Sequence, residues 1–105
     1  MLAALLGGAL LLGLPAWAAD APRLADAAAK QDKAALRALI RDKADVNAAQ
    51  PDGATALHWA VHWDDLESAD LLLRAGANVN ARNDYSATPL SLACTNGNAA
   101  MVEKL

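Results

Sequence analysis

Phenylalanine is missing from this 105-residue sequence, and aromatic residues of any kind make up only 4% of it. The hydrophobic share is nevertheless 55%, so alanine and leucine must carry it. Both are strong helix formers, while the β-branched and aromatic residues that favour strands are sparse. An all-α fold is expected, in one small domain. A core of small side chains stabilises little per residue, so the helices must approach closely to bury enough area. Cys94 is the single cysteine, which excludes a disulfide within the chain even in an oxidising compartment. Clustered positive charge is also missing. The formal net charge is −3, and Lys30, Lys33, Arg37, Lys43, Arg74 and Arg82 are scattered among acids. Nucleic-acid binding needs basic side chains gathered on one surface to displace counterions, so no nucleic-acid partner is expected.

No charged side chain occurs before Asp20. Residues 2–14 are an apolar run of Ala, Leu and Gly, followed by Pro15 and then Ala16, Trp17 and Ala18. An apolar core, a helix breaker and small residues at the A-x-A positions read as a secretory signal peptide over residues 1–18. A membrane anchor is the rival reading, but the run is short for a span of about 20 residues and Pro15 interrupts it. Cleavage would leave residues 19–105 as an exported domain, periplasmic or secreted and bacterial in character, with no membrane attachment.

Beyond the leader the sequence repeats itself. Thr55, Leu57 and Ala60 recur as Thr88, Leu90 and Ala93, an offset of 33. Shifted back by the same amount, Leu24 and Ala27 fall under Leu57 and Ala60. The same offset relates Val46-Asn47 to Val79-Asn80, Asp32 to Asp65 and Asn98, and Leu39 to Leu72 and Leu105. Self-similarity at such a period marks stacked supersecondary units. Thr55 and Thr88 suit a helix amino end, and Pro89 sits where a missing N–H costs nothing. Asp32, Asp65 and Asn98 suit the amino end of a second helix, whose apolar residues recur at helical spacing (Leu36, Leu39, Ile40; Ala69, Leu72, Leu73; Val102, Leu105). Gly76 is placed to stop a helix, and Pro51, Asp52 and Gly53 read as a turn tip. A lone helix pair cannot cover its own apolar stripe, whereas a row of pairs can, so a short solenoid is predicted.

At Thr55, Leu57, His58 and Ala60, and again through the run from Leu71 to Asn80 (LLLRAGANVN), the chain closely resembles the ankyrin-repeat family. The resemblance covers residues 20–105, in copies of about 19–50, 51–83 and 84–105 with the last incomplete. It implies an ankyrin solenoid of helix-turn-helix units joined by hairpin-like loops. Three departures stand out: Lys43 replaces the helix-stopping glycine of the first copy, Gln31 and Asp64 replace a glycine between helices, and the first copy has Pro22 and Ala25 in its opening. An atypical first copy is what a solvent-facing cap needs. The last residues fall within a second helix, which reads as a truncated piece of a longer array.

Signals for chemistry are few. His58 and His62 lie one helical turn apart with Asp65 beyond them, a spacing that could hold a metal on a continuous helix. Resemblance gives His58 a structural role instead, bonded to Thr55 and to the neighbouring copy's backbone, and Asp65 reads as a cap. Cys94, aligned with Val61 and Ala28, reads as a small buried residue. No nucleophile–base pair and no phosphate loop stands out, so neither an enzyme nor a cofactor is expected. Trp59 aligns with Leu92 and reads as core. Trp63 aligns with Lys30 and Asn96, polar residues, and admits two readings: an exposed interface anchor, or a ring folded over a neighbouring helix.

In this family partners are held by hairpin tips and the exposed side of first helices. Carried over by position, that implies a protein-binding surface of Lys30, Asp52, Ala54, His62, Trp63, Asp84, Tyr85, Ala87, Thr95 and Asn96. The expected function is a monomeric protein–protein interaction scaffold that binds through preformed loops and helices. The alternatives are an accessory array of a larger exported enzyme or metalloprotein, and a secreted effector acting on host proteins.

Overall fold

A computed structural model describes residues 23–105. The expected leader over residues 1–18 lies outside them. Six helices follow in order: α1 Arg23–Ala29, α2 Lys33–Arg41, α3 Ala56–His62, α4 Leu66–Arg74, α5 Pro89–Asn96 and α6 Ala99–Lys104. No strand occurs among the described residues. The all-α expectation holds, and the helices pair as α1–α2, α3–α4 and α5–α6. First helices pack in a row, with α3 between α1 and α5, and second helices pack in a parallel row, with α4 between α2 and α6. None of these helices is long and apolar enough to cross a membrane.

Each pair reverses by one device. Three backbone bonds repeat at the period of the sequence: Asp32 N–H donates to Ala27 O at 2.9 Å, Asp65 N–H to Ala60 O at 2.9 Å, and Asn98 N–H to Ala93 O at 3.2 Å. The preceding residue bonds three back, as Asp64 N–H does to Val61 O. This double closure satisfies the last carbonyls of a helix and forces its penultimate link into the left-handed region. Gln31, Asp64 and Gly97 occupy that link, with φ of 58°, 55° and 71°. The next residue caps the following helix at once. Carboxylate or amide oxygens of Asp32, Asp65 and Asn98 accept from Ala35, Ser68 and Met101 N–H, at 3.0–3.1 Å. The reversal thus takes only two or three residues between the helices.

Two of the glycine replacements noted in the sequence differ in what they gain. Asp64 offsets its left-handed backbone by reaching the next copy, where its carboxylate accepts from Asn98 Nδ2 at 3.2 Å and Asn96 Nδ2 at 3.4 Å. Gln31 is exposed and its side chain forms no hydrogen bond among the described residues. Left-handed backbone costs a side-chain-bearing residue about 1–2 kcal/mol, and glycine returns part of that gain through its looser unfolded chain. Gln31→Gly should therefore raise the thermal midpoint by roughly 2–8 °C. Asp64→Gly should gain less or lose, because it deletes a tie between copies. Equal gains in calorimetry would mean that the Asp64 bridge contributes nothing.

The core runs along the seam between successive pairs. Leu24, Leu36, Leu57, Val61, Leu72 and Met101 are its large members, and alanines at 27, 56, 60, 69 and 93 allow the close approach. Two positions differ from expectation. Leu90 is 45% exposed although its counterpart Leu57 is fully buried. Cys94, expected inside, is exposed although its counterparts Val61 and Ala28 are buried. The reason is the same for both. Each column is covered by the first helix of the following copy, and no further helix lies against α5 among the described residues. Charged pairs stitch the second-helix row: Lys33 to Asp65 at 3.6 Å, Arg37 to Glu67, and Lys104 to Asp70 at 3.4 Å. Exposed pairs of this kind contribute little each.

Candidate protein-binding groove

The hairpins between pairs are built from short-range bonds and then joined to one another. In the first, Gln50 N–H donates to Ala54 O at 2.9 Å and Gly53 N–H to Gln50 O at 2.8 Å. Asn83 to Ala87 and Ser86 to Asn83 repeat the pattern in the second. Asp84 N–H then donates to Asp52 O at 2.7 Å, welding the two tips. Gly53 is required here twice over: its φ is 84°, and a Cβ would stand 3.0 Å from Asn83 Cα. A side chain at that point would push the tips apart.

His58 fixes the base of the same loop. Its ring is 3% exposed; Nδ1 accepts from Thr55 N–H at 3.0 Å and Nε2 lies 2.9 Å from Ala87 O. Since a backbone N–H can only donate, Nδ1 is the acceptor and the proton sits on Nε2, donated to the carbonyl. The structural role expected of His58 is the one observed. Both ring nitrogens are engaged, so His58 has no lone pair left for a metal. Asp65 is engaged as well. Burial pushes its carboxyl up, but the Ser68 hydroxyl and amide and the nearby Lys33 outweigh this and hold it below the usual carboxylate value. No cluster of three possible metal ligands occurs among the described residues.

Between the second and third copies these parts enclose a groove of about 200 Å³, lined chiefly by Asp52, Ala54, Trp59, His62, Asn83 and Leu92. Trp59, read from sequence as core, is only half-buried and forms a wall of this groove. Its indole N–H donates to Gln50 Oε1 at 2.8 Å, while the ring also packs against the buried core. Trp59, His62 and Trp63 form one aromatic cluster. The two indoles stack at 6.4 Å between centroids, and His62 meets them edge-on at 5.4 and 4.7 Å. Trp63 lines a small cleft together with Ala27, Ala28 and Leu36 of the first copy and is 41% exposed.

The other residues named from sequence divide into three groups. Asp52, His62, Asp84 and Tyr85 are exposed around the groove and tips, and Tyr85 reaches 86%. Ala54 is buried and Ala87 half-buried, so they shape the loops rather than offer contacts. Lys30, Thr95 and Asn96 are exposed on first-helix ends, but Thr95 donates to Ser91 O and Asn96 to Val61 O, which ties them to the scaffold. Sequence reading missed Trp59, Asn83 and Leu92 as groove residues. The available signal was that Trp59, His62 and Trp63 are spaced i, i+3 and i+4, which places them on one helix face.

Stacked helix pairs with welded hairpin tips and an aromatic groove define a repeat scaffold that presents a preformed surface. Residues 24–105 match the family described as ankyrin repeats in three copies, and the chain belongs to that family. It is 45% identical over 58 residues to human neurogenic locus notch homolog protein 1, covering 55% of this chain and 2% of that protein. It is 37% identical over 79 residues to mouse rabankyrin-5, covering 64% of this chain and 7% of that protein. A palmitoyltransferase of Lachancea kluyveri is 36% identical over 67 residues, covering 64% and 9% respectively. The chain therefore spans a small part of the relatives it matches. Modules of this family are in general protein–protein interaction modules, and nothing positive points to catalysis in this chain.

Proposed function

We propose that this chain is an exported scaffold that holds a protein partner through its concave groove and hairpin tips. The observation that carries the reading is the exposure of Trp63 and Tyr85 beside a groove whose frame is already hydrogen-bonded. Large aromatic rings held on rigid supports are the residues that dominate interface energies, because they bury much area while losing little freedom. Export is proposed from the apolar run and A-x-A residues of positions 1–18, with a bacterial periplasmic or secreted product comprising residues 19–105 as the interaction domain. The chain is proposed to act as a monomer.

One experiment addresses both halves. The tagged chain is expressed, fractionated, and cross-linked in the compartment where it is found. Recovery in the periplasm or medium, with a cross-linked partner lost in the Trp63→Ala/Tyr85→Ala variant, is the expected result; each ring should be worth at least about 1–2 kcal/mol of affinity. A cytoplasmic product sinks the export reading, and a partner retained by the double variant sinks the surface. The second reading is an accessory array within a larger protein. It is favoured by the small share, 2% to 9%, of the relatives' lengths that the chain covers.

A further inference from the structure

We propose that the groove between the second and third copies receives a lysine or arginine side chain of the partner, its aliphatic stem on Trp59 and Leu92 and its cationic head at Asp52. This rests on the reading of the groove as a protein-binding surface and names the chemistry it selects.

Size comes first. At about 200 Å³ the groove is smaller than the pockets of roughly 300–1,000 Å³ that enclose small organic ligands. It suits one long side chain. The polar groups of its wall then narrow the choice. Trp59 N–H is satisfied by Gln50, and both nitrogens of His58 are satisfied by Thr55 and Ala87. Asn83 Oδ1 already accepts from Tyr85 N–H and Ala87 N–H. Open on the wall are the His62 ring nitrogens, Asn83 Nδ2 and the Asp52 carboxylate, which accepts only from Ala54 N–H and is the one acidic group of the lining. Asp52 forms no ion pair among the described residues, and no lysine or arginine lines the groove. Arg82, next to Asn83 in the chain, is exposed and lies outside the wall.

An acidic side chain entering here would meet the Asp52 carboxylate, of its own sign. A purely apolar one would cover Asp52 without pairing it, at a desolvation cost. A long cationic side chain satisfies both halves of the site: apolar wall against methylenes, the Asp52 carboxylate against the head, and the Trp59 indole as a further attraction for positive charge. The negative balance of the chain, −3, acts in the same sense at long range.

The test uses the whole chain and four capped probes: the N-acetyl amides of arginine, lysine, norleucine and glutamate. Binding is followed by the indole N–H resonance of Trp59 and the methyl resonances of Leu92. Arginine and lysine probes should saturate with dissociation constants on the order of millimolar. Norleucine should be roughly fivefold weaker and glutamate should not bind. Asp52→Asn keeps an oxygen to accept from Ala54 N–H, so the loop should stay folded. It should weaken the arginine probe to the norleucine level without changing norleucine. Equal affinity for norleucine and arginine, tighter binding of glutamate, or an arginine affinity untouched by Asp52→Asn overturns the proposal. Those outcomes leave the broader reading standing if Trp63→Ala/Tyr85→Ala still abolishes cross-linking. A partner that survives the double variant sinks the broader reading instead, whatever the probes do.

Discussion

Leu57→Ala should unfold this protein or come close to it, while Leu90→Ala at the equivalent position one copy later should hardly matter. Leu57 is fully buried between α1 and α5, whereas Leu90 is 45% exposed. Removing a fully buried leucine loses its transfer energy and leaves a cavity, together about 2–5 kcal/mol. The core here is alanine-rich and small, so the reserve against which that loss is set is narrow. A loss of that size corresponds to a fall in thermal midpoint of roughly 10–25 °C for a domain of this length. Leu90→Ala removes less buried area and leaves no closed cavity, so about 1 kcal/mol or less is expected. Thermal or urea unfolding of the two variants side by side checks the stacked architecture directly. Similar losses at both positions would mean that the copies do not cover one another as described.

The second large effect is expected at His58, through a different kind of interaction. His58→Ala leaves Thr55 N–H and Ala87 O without their partner inside the seam. Buried groups deprived of a bond cost about 1–3 kcal/mol each, so about 2–4 kcal/mol is expected in urea unfolding. His58→Gln should recover part of it, since one amide offers both an acceptor and a donor. The variant has a functional readout as well. Ala87 closes the hairpin that carries Asp84 and Tyr85, so freeing it should weaken partner binding although no contact residue has changed. Amide exchange should show faster opening at Ala87 and Tyr85 in His58→Ala, with α1 and α2 little affected. An alanine variant as stable as the parent would remove His58 from the frame of the groove.

These two residues also show what kind of information is local. The caps at Asp32, Asp65, Thr88 and Asn98 could be assigned before any coordinates, because a cap acts on an N–H three residues away. So could the row of pairs, since the offset of 33 aligns apolar stripes that no single pair covers. His58 was legible only through its family resemblance, because its second partner lies 29 residues on. Trp59 was read in part: it packs against the core, as expected, but is only half-buried. Its share in the groove wall and its bond to Gln50, nine residues earlier, depend on how the loop folds back on α3. Cys94 was misjudged for another reason: its column is buried only where a following helix covers it.

By itself, then, the order of residues determined helix content and reversal points, which depend on neighbours within one or two turns of chain, and the repeat with its small-residue seam, which the offset of 33 makes visible. Tertiary structure alone decided the weld of Asp84 to Asp52, the bridge from Asp64 to Asn98 and the half-open placement of Trp59. Each of these is a contact between groups from different loops or copies, whose distance is set by how the pairs lean on one another. A one-dimensional pattern records which side of a helix a residue occupies, but not what stands opposite it.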